Sequence, residues 1–154
     1  MIADASVILR AFFPDEAQAR AQAVIREHVA GRIQLKAPTL LPYELSNAVW
    51  RGERRKRIKP EETDQILAAL QGLDIAIEPV EWAEILPLAR AFNCTAYDAA
   101  YLALAQRLGE KLITGDERLY NAVHSKLDWV LWIEGFEESE GDERLDPESP
   151  NADR

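Results

Sequence analysis

TAYDAAYLALAQRLGEKLITGDERLYNAV, residues 95–123, decides the fold. Thr95 is a good N-cap for a helix over 96–108, and Gly109 terminates it. Residues 112–114 (LIT) then read as a compact buried strand, and Gly115-Asp116 turns into a short helix ending near Val123. The rest of the chain repeats this alternation. An apolar opening at 1–3 precedes a helix over 6–13 that Pro14 stops. Asp15 is a plausible N-cap for a long Ala-rich helix over 16–30, which Gly31 closes. A strand candidate at 33–37 leads into a helix with Pro42 in its first turn, running to about Arg51 before Gly52. Pro60 begins a helix that ends at Gly72. A weak strand at 75–77, a helix over 81–92 kinked at Pro87, and a last strand at 129–133 complete the pattern. Short apolar strands alternating with helices indicate an α/β domain with a mostly parallel sheet covered on both faces. In such sheets ligands bind outside the carboxyl ends of the strands, so strand ends are the places to look.

The chain has 154 residues, 47% of them hydrophobic and 29% charged, which is enough apolar material for the core of one domain. One cysteine, Cys94, excludes a disulfide framework and a multi-Cys zinc site, and fits a reducing, cytoplasmic compartment. No basic-then-apolar leader opens the sequence, and no apolar run approaches the ~18 residues needed to span a bilayer. A net charge of -9 argues against a nucleic-acid partner at face value. That charge is uneven. Residues 134–154 hold nine acids against two arginines, net -7, leaving residues 1–133 at net -2. The expected organisation is therefore a folded domain over 1–133 and an acidic, disordered tail over 134–154. Within the body, residues 51–59 (RGERRKRIK) carry six bases and one acid.

Four carboxylates have surroundings that single them out. Asp4 follows the first strand, in IADASVIL, and Asp116 follows the strand ending at Thr114. Glu44, in LLPYELSNAVW, borders the apolar stripe of Leu41, Leu45, Ala48 and Val49. Asp98 is the only charged residue between Ala96 and Ala105, and shares its helix face with Tyr101, Leu102 and Ala105. Each has a local reading. Asp4 and Asp116 can cap the helices that follow them, Glu44 can complement a helix dipole, and Asp98 can cap free amides at its own helix start. Taken together, two sit at strand ends and two near helix starts that should open toward the same edge. Like charges ~5 Å apart at an effective dielectric of ~20 repel by roughly 3 kcal/mol per pair. A converging set of four calls for a cation, and all-oxygen ligation suits Mg²⁺ or Mn²⁺ rather than zinc.

MIADASVIL, PYELSNAVWR, TAYDAAYLALA and LITGDERLYNAV, in this order and spacing, resemble the PIN-domain proteins, and most closely the VapC-type toxins. The resemblance covers roughly residues 1–133. It implies a three-layer α/β/α fold with a short, mostly parallel central sheet, and cleavage of RNA phosphodiester bonds with Mg²⁺ or Mn²⁺. Asp4, Glu44, Asp98 and Asp116 match the family's metal-binding acids. Thr114 and Ser6 match hydroxyls that support the site, and Asn47 is a further candidate for such support. The resemblance also implies a homodimer and a cognate antitoxin, without membrane attachment. Two features depart from the pattern: the first strand has only three residues before Asp4, which leaves the placement of Asp4 less rigid, and the acidic tail is additional.

Rival chemistries fit less well. His28 and His124 are both expected to be structural, which leaves no histidine pair for metal-free RNA cleavage. Ser6 has no histidine partner, and Cys94 reads as a small buried residue. A phosphoacceptor receiver domain would need an acidic pair near the first strand, and an aspartyl phosphatase a second acid where Ser6 stands. A catalytically silent PIN scaffold that only binds a partner is the remaining alternative. The basic stretch is either a track for RNA phosphates or a solvated helix end, with Arg10, Lys36 and Arg118 as further charges near the site mouth. The acidic tail is a candidate competitor of RNA for that stretch. Tyr43 and Trp50, one side of a helix, are expected to pack against a neighbouring element or a second copy.

Overall fold

The structure is a computed structural model that describes residues 1–16 and 18–138. Five strands form one sheet: β1 (Ile2–Ala3), β2 (Lys36–Pro38), β3 (Ala76–Glu78), β4 (Leu112–Thr114) and β5 (Val130–Trp132). Their order is β3-β2-β1-β4-β5, and every pairing is parallel. Seven α-helices connect them: α1 (Ala5–Phe12), α2 (Ala19–Val29), α3 (Leu41–Arg54), α4 (Pro60–Gly72), α5 (Trp82–Phe92), α6 (Ala96–Leu108) and α7 (Glu117–Val123). Right-handed crossovers place α1–α4 over one face and α5–α7 over the other, giving a three-layer α/β/α fold. The chain works outward from β1 to β3, then returns to lay β4 against the other side of β1. The carboxyl ends of β1 and β4 therefore border the topological switch point, where open parallel sheets leave a crevice.

Helix α6 packs on a sheet whose strands are only two or three residues long. Residues Ala99 through Ala105 are all buried, and α6 packs across β1, β2 and β4 while α5 covers its outer side. Four alanines in that run let the backbone approach the sheet closely, and Leu102 and Leu104 fill the space between. Thr95 caps α6 and Gly109 ends it in the left-handed conformation, at φ 63°.

Four local expectations are revised. α3 does not stop before Gly52 but runs through it to Arg54. The glycine is buried against Ile58 and Phe13, with an added Cβ falling 3.3 Å and 3.4 Å from their side chains. Close packing, not helix termination, accounts for it. α2 begins at Ala19 rather than Glu16, because Asp15 and Glu16 are drawn into ion pairs with Arg57. Ile33 and Leu35 precede β2 rather than lie within it. Phe136 is buried in the main core, held by a bond from Arg20 Nη1 to its carbonyl at 2.9 Å, so the core continues past Ile133. Residues 139–154, the bulk of the expected tail, lie outside the described residues.

His28 is structural, as expected, but it is not a plain surface residue. Its Nδ1 accepts a bond from the Leu35 amide at 3.2 Å, which leaves Nε2 to donate to the Leu73 carbonyl at 2.7 Å. One ring thus ties α2 to the segment entering β2 and to the end of α4. His28→Ala strands a part-buried amide and carbonyl, and should lower the unfolding free energy by about 2 kcal/mol. Denaturant titration with an unchanged slope measures this, and parental stability would refute the linking role.

Candidate active site

Asp4 is the N-cap of α1, accepting bonds from the amides of Ser6 at 2.9 Å and Val7 at 3.3 Å. Ordinary caps sit in water, yet Asp4 is 5% exposed. Its Oδ2 accepts from the Thr114 hydroxyl, and its Oδ1 also accepts from the Ser6 hydroxyl. Although β1 is only two residues long, it is paired on both sides, and four donors fix the carboxylate that follows. The short first strand therefore does not loosen Asp4. Burial pushes its pKa up from 3.8 to about 6, against the lowering effect of these hydrogen bonds, and the charge of Asp116 pushes the same way.

The supporting hydroxyls act in both directions. Thr114 Oγ1 accepts from the Asp116 amide at 2.9 Å, and Ser6 Oγ accepts from the Gly115 amide at 2.8 Å. The turn after β4 is thereby locked to the end of β1. Asp116 caps α7 through the amides of Arg118 at 2.9 Å and Leu119 at 3.2 Å.

Glu44 lies in the first turn of α3, half-buried, where its Oε2 accepts a 2.5 Å bond from the Tyr101 hydroxyl. Burial is the main cause of its raised pKa, and the charges of Asp4 and Asp98 add to it. The Tyr101 phenol is pushed up by its own burial and by Glu44. Asp98 forms a capping box with Thr95 and keeps 17% of its side chain exposed. Arg118 closes the circuit, with Nη2 3.2 Å from Asp98 Oδ2 and 3.8 Å from Asp116 Oδ2.

The local readings of three acids are thus correct, since Asp4, Asp116 and Asp98 all cap helices. They do not exhaust those residues. Asp116 acts electrostatically on Asp4, and Asp4 and Asp98 act on Glu44, so the four carboxylates lie within electrostatic reach of one another. Among the described residues, no group of three or more His, Cys, Asp or Glu side chains is already gathered tightly enough to hold a metal ion. Hydroxyls and the Arg118 guanidinium occupy the carboxylate oxygens instead. The donor set remains all oxygen, with one buried and one half-buried carboxylate whose pKa is raised chiefly by burial, which suits a hard cation.

Some candidates fall elsewhere. Asn47 lines an open groove of about 540 Å³ with Trp50, Arg51, Arg54 and Arg55, one helical turn beyond Glu44. Lys36 is held by Glu110 and does not reach the mouth. The basic stretch divides, because Arg57 is tied to Asp15 and Glu16 while Arg51, Arg54 and Arg55 face that groove. Tyr43 and Trp50 are exposed, not packed within the chain. Tyr101 and Arg118 had visible signals as contributors to the site: a polar tip in an otherwise apolar helix face, and a base two residues after Asp116.

The buried charge on Asp4 has a measurable cost. The folded pKa lies above the unfolded value, so the folded chain holds a proton that the unfolded chain releases. Stability then falls as pH rises from 3.8 to about 6, and the penalty is fully present above that. In EDTA near neutral pH, Asp4→Asn should be more stable than the parent by about 2 kcal/mol. The advantage should vanish by about pH 4. Thermal unfolding of both proteins across this range is the check, and a variant less stable at every pH would contradict it.

A family model described as the PIN domain matches residues 1–124. Ribonuclease VapC3 of Pyrobaculum aerophilum is 32% identical over 123 residues, covering 77% of this chain and 91% of that protein. The crystal structure of PAE2754 from Pyrobaculum aerophilum matches with a TM-score of 0.65 at 23% identity, covering 86% of this chain and 83% of the other, and shows the same fold. The family match takes in Asp4, Ser6, Glu44, Asp98, Thr114 and Asp116. The chain belongs to the PIN-domain family and, within it, to the VapC-type ribonucleases.

Proposed function

We propose that this protein is a Mg²⁺- or Mn²⁺-dependent endoribonuclease that hydrolyses RNA phosphodiester bonds, and that it is the toxin of a toxin–antitoxin pair. The observation that carries this reading is the set of Asp4, Glu44, Asp98 and Asp116, coupled to one another by charge and bridged in part by Arg118, in a PIN-domain chain. Bound by these carboxylates, the cation would polarise the scissile phosphate and lower the pKa of an attacking water. The protein's own groups prepare the place. Thr114 and Ser6 fix both oxygens of Asp4, and Tyr101 fixes one oxygen of Glu44. Arg118 balances Asp98 and Asp116, and its exposure of 68% leaves it free to move aside. No histidine competes for the role of base: His28 is engaged by the backbone on both nitrogens, and His124 is stacked on Tyr120.

The groove lined by Asn47, Trp50, Arg51, Arg54 and Arg55 supports an RNA path along α3. Exposed apolar side chains, Trp82 at 89% and Tyr43 at 77% among them, support a homodimer and an antitoxin contact. No helix among the described residues is long and apolar enough to cross a membrane. A single cysteine, Cys94, with no disulfide framework supports a cytoplasmic location. A catalytically silent PIN scaffold is the second reading, favoured by the carboxylate oxygens being already engaged by Arg118 and hydroxyls.

Asp98→Asn separates the two. It should reduce Mn²⁺-dependent RNA cleavage by at least about 100-fold while keeping the fold. The parent should lose cleavage in EDTA and regain it with Mn²⁺, whereas His28→Gln and His124→Ala should cleave like the parent. Full cleavage by Asp98→Asn would sink the catalytic assignment. Sedimentation should find the parent as a dimer at micromolar concentration, and a monomer there would contradict self-association.

A further inference from the structure

Beside Asp116 an open groove of about 490 Å³ is lined by Ser6, Arg10, Glu16, Gly115 and Arg118 among others. Its carboxylates are largely spoken for. Glu16 is paired with Arg57 at 2.5 Å, and Asp116 faces Arg118. Glu117 is exposed at the start of α7, where solvent and salt screen it. Arg10 is different. Its guanidinium makes no hydrogen bond or ion pair among the described residues, and its one recorded partner is the Trp132 ring, 6.0 Å from centroid to Cζ.

Arg10 is nevertheless held in place. It sits one turn after Ser6 on α1, and its stem lies across the turn at Gly115. A Cβ added at Gly115 would fall 3.2 Å from Arg10 Cδ and 3.2 Å from Nε, so a side chain there would dislodge it. The same Gly115 donates its amide to Ser6 Oγ, and Ser6 in turn bonds Asp4. A cation with a fixed stem and a planar fork of unused donors therefore stands next to the acids that we assign to catalysis. Such a fork matches the two oxygens of a phosphodiester.

We propose that Arg10 is a substrate-binding residue that holds a backbone phosphate of the RNA strand beside the scissile one, using the groove between α1 and the turn after β4. This rests on the RNA-cleaving reading, and it names the residue that sets the strand's position. The contact is the same before and during reaction, so its loss should act on KM rather than kcat.

The test is the affinity of a short, labelled single-stranded RNA for the full chain in EDTA, read by fluorescence anisotropy over a series of salt concentrations. Arg10→Ala should bind about five-fold more weakly, and the slope of log affinity against log salt should fall by about 0.7, the value for one phosphate on a single strand. Arg10→Lys should keep the parental slope, because the charge remains. Lys111→Ala removes an exposed base at the opposite end of β4 and should bind like the parent. In Mn²⁺, Arg10→Ala should raise KM with kcat within about two-fold of the parent. Parental binding by Arg10→Ala, or an equal loss in Lys111→Ala, would overturn the assignment. The outcome is separable from the nuclease reading: Asp98→Asn should lose cleavage and keep RNA affinity. If the parent fails to cleave while Arg10→Ala still weakens binding, the nuclease reading falls and the Arg10 contact stands.

Discussion

The bond on which the rest depends joins the Thr114 hydroxyl at the end of β4 to the Asp4 carboxylate at the end of β1. It crosses the switch point of the sheet and sits in the core. Asp4 caps α1, and Thr114 accepts the amide of Asp116, which caps α7. Two strands and two helices therefore meet at one carboxylate and one hydroxyl. Ser6 repeats the connection by bonding both Asp4 and the Gly115 amide. Stability and site geometry draw on the same few bonds, and burial, which raises the pKa of Asp4, sets a desolvation cost against them.

Much of this was legible in the sequence because the signals were short-range. Thr95 and Gly109 bracket α6, and Pro60 and Gly72 bound α4, since capping and proline geometry act within one turn. The burial of Asp98's neighbours followed from an apolar helix face. What escaped were outcomes decided by distant partners. Gly52 looks like a helix stop until Ile58 and Phe13 are seen packing on it. Asp15 looks like a cap until Arg57, 42 residues away, takes its oxygens. The pairing of Tyr101 with Glu44 spans 57 residues, and no local pattern encodes it.

Charge gives the same lesson at larger scale. A net charge of -9 appears hostile to RNA, yet the acids of the body are arranged in two different ways. Glu27, Asp15, Glu16 and Glu110 are neutralised by bases that hold the fold together. Asp4, Glu44, Asp98 and Asp116 act on one another electrostatically, with a single guanidinium, Arg118, as an ion-pair partner among the described residues. Arg51, Arg54 and Arg55 line one groove and Arg10 another, and none of the four has an ion pair among the described residues. The local distribution, not the sum, is what a phosphate backbone would meet.

The central claim is that these four carboxylates act together on one kind of ion. Calorimetric titration of Mn²⁺ into protein stripped with EDTA tests it most directly. The account predicts saturable binding to the parent that disappears in Asp4→Asn, even though that variant remains folded. Absence of saturable binding in the parent, or equal binding by the two proteins, would contradict it.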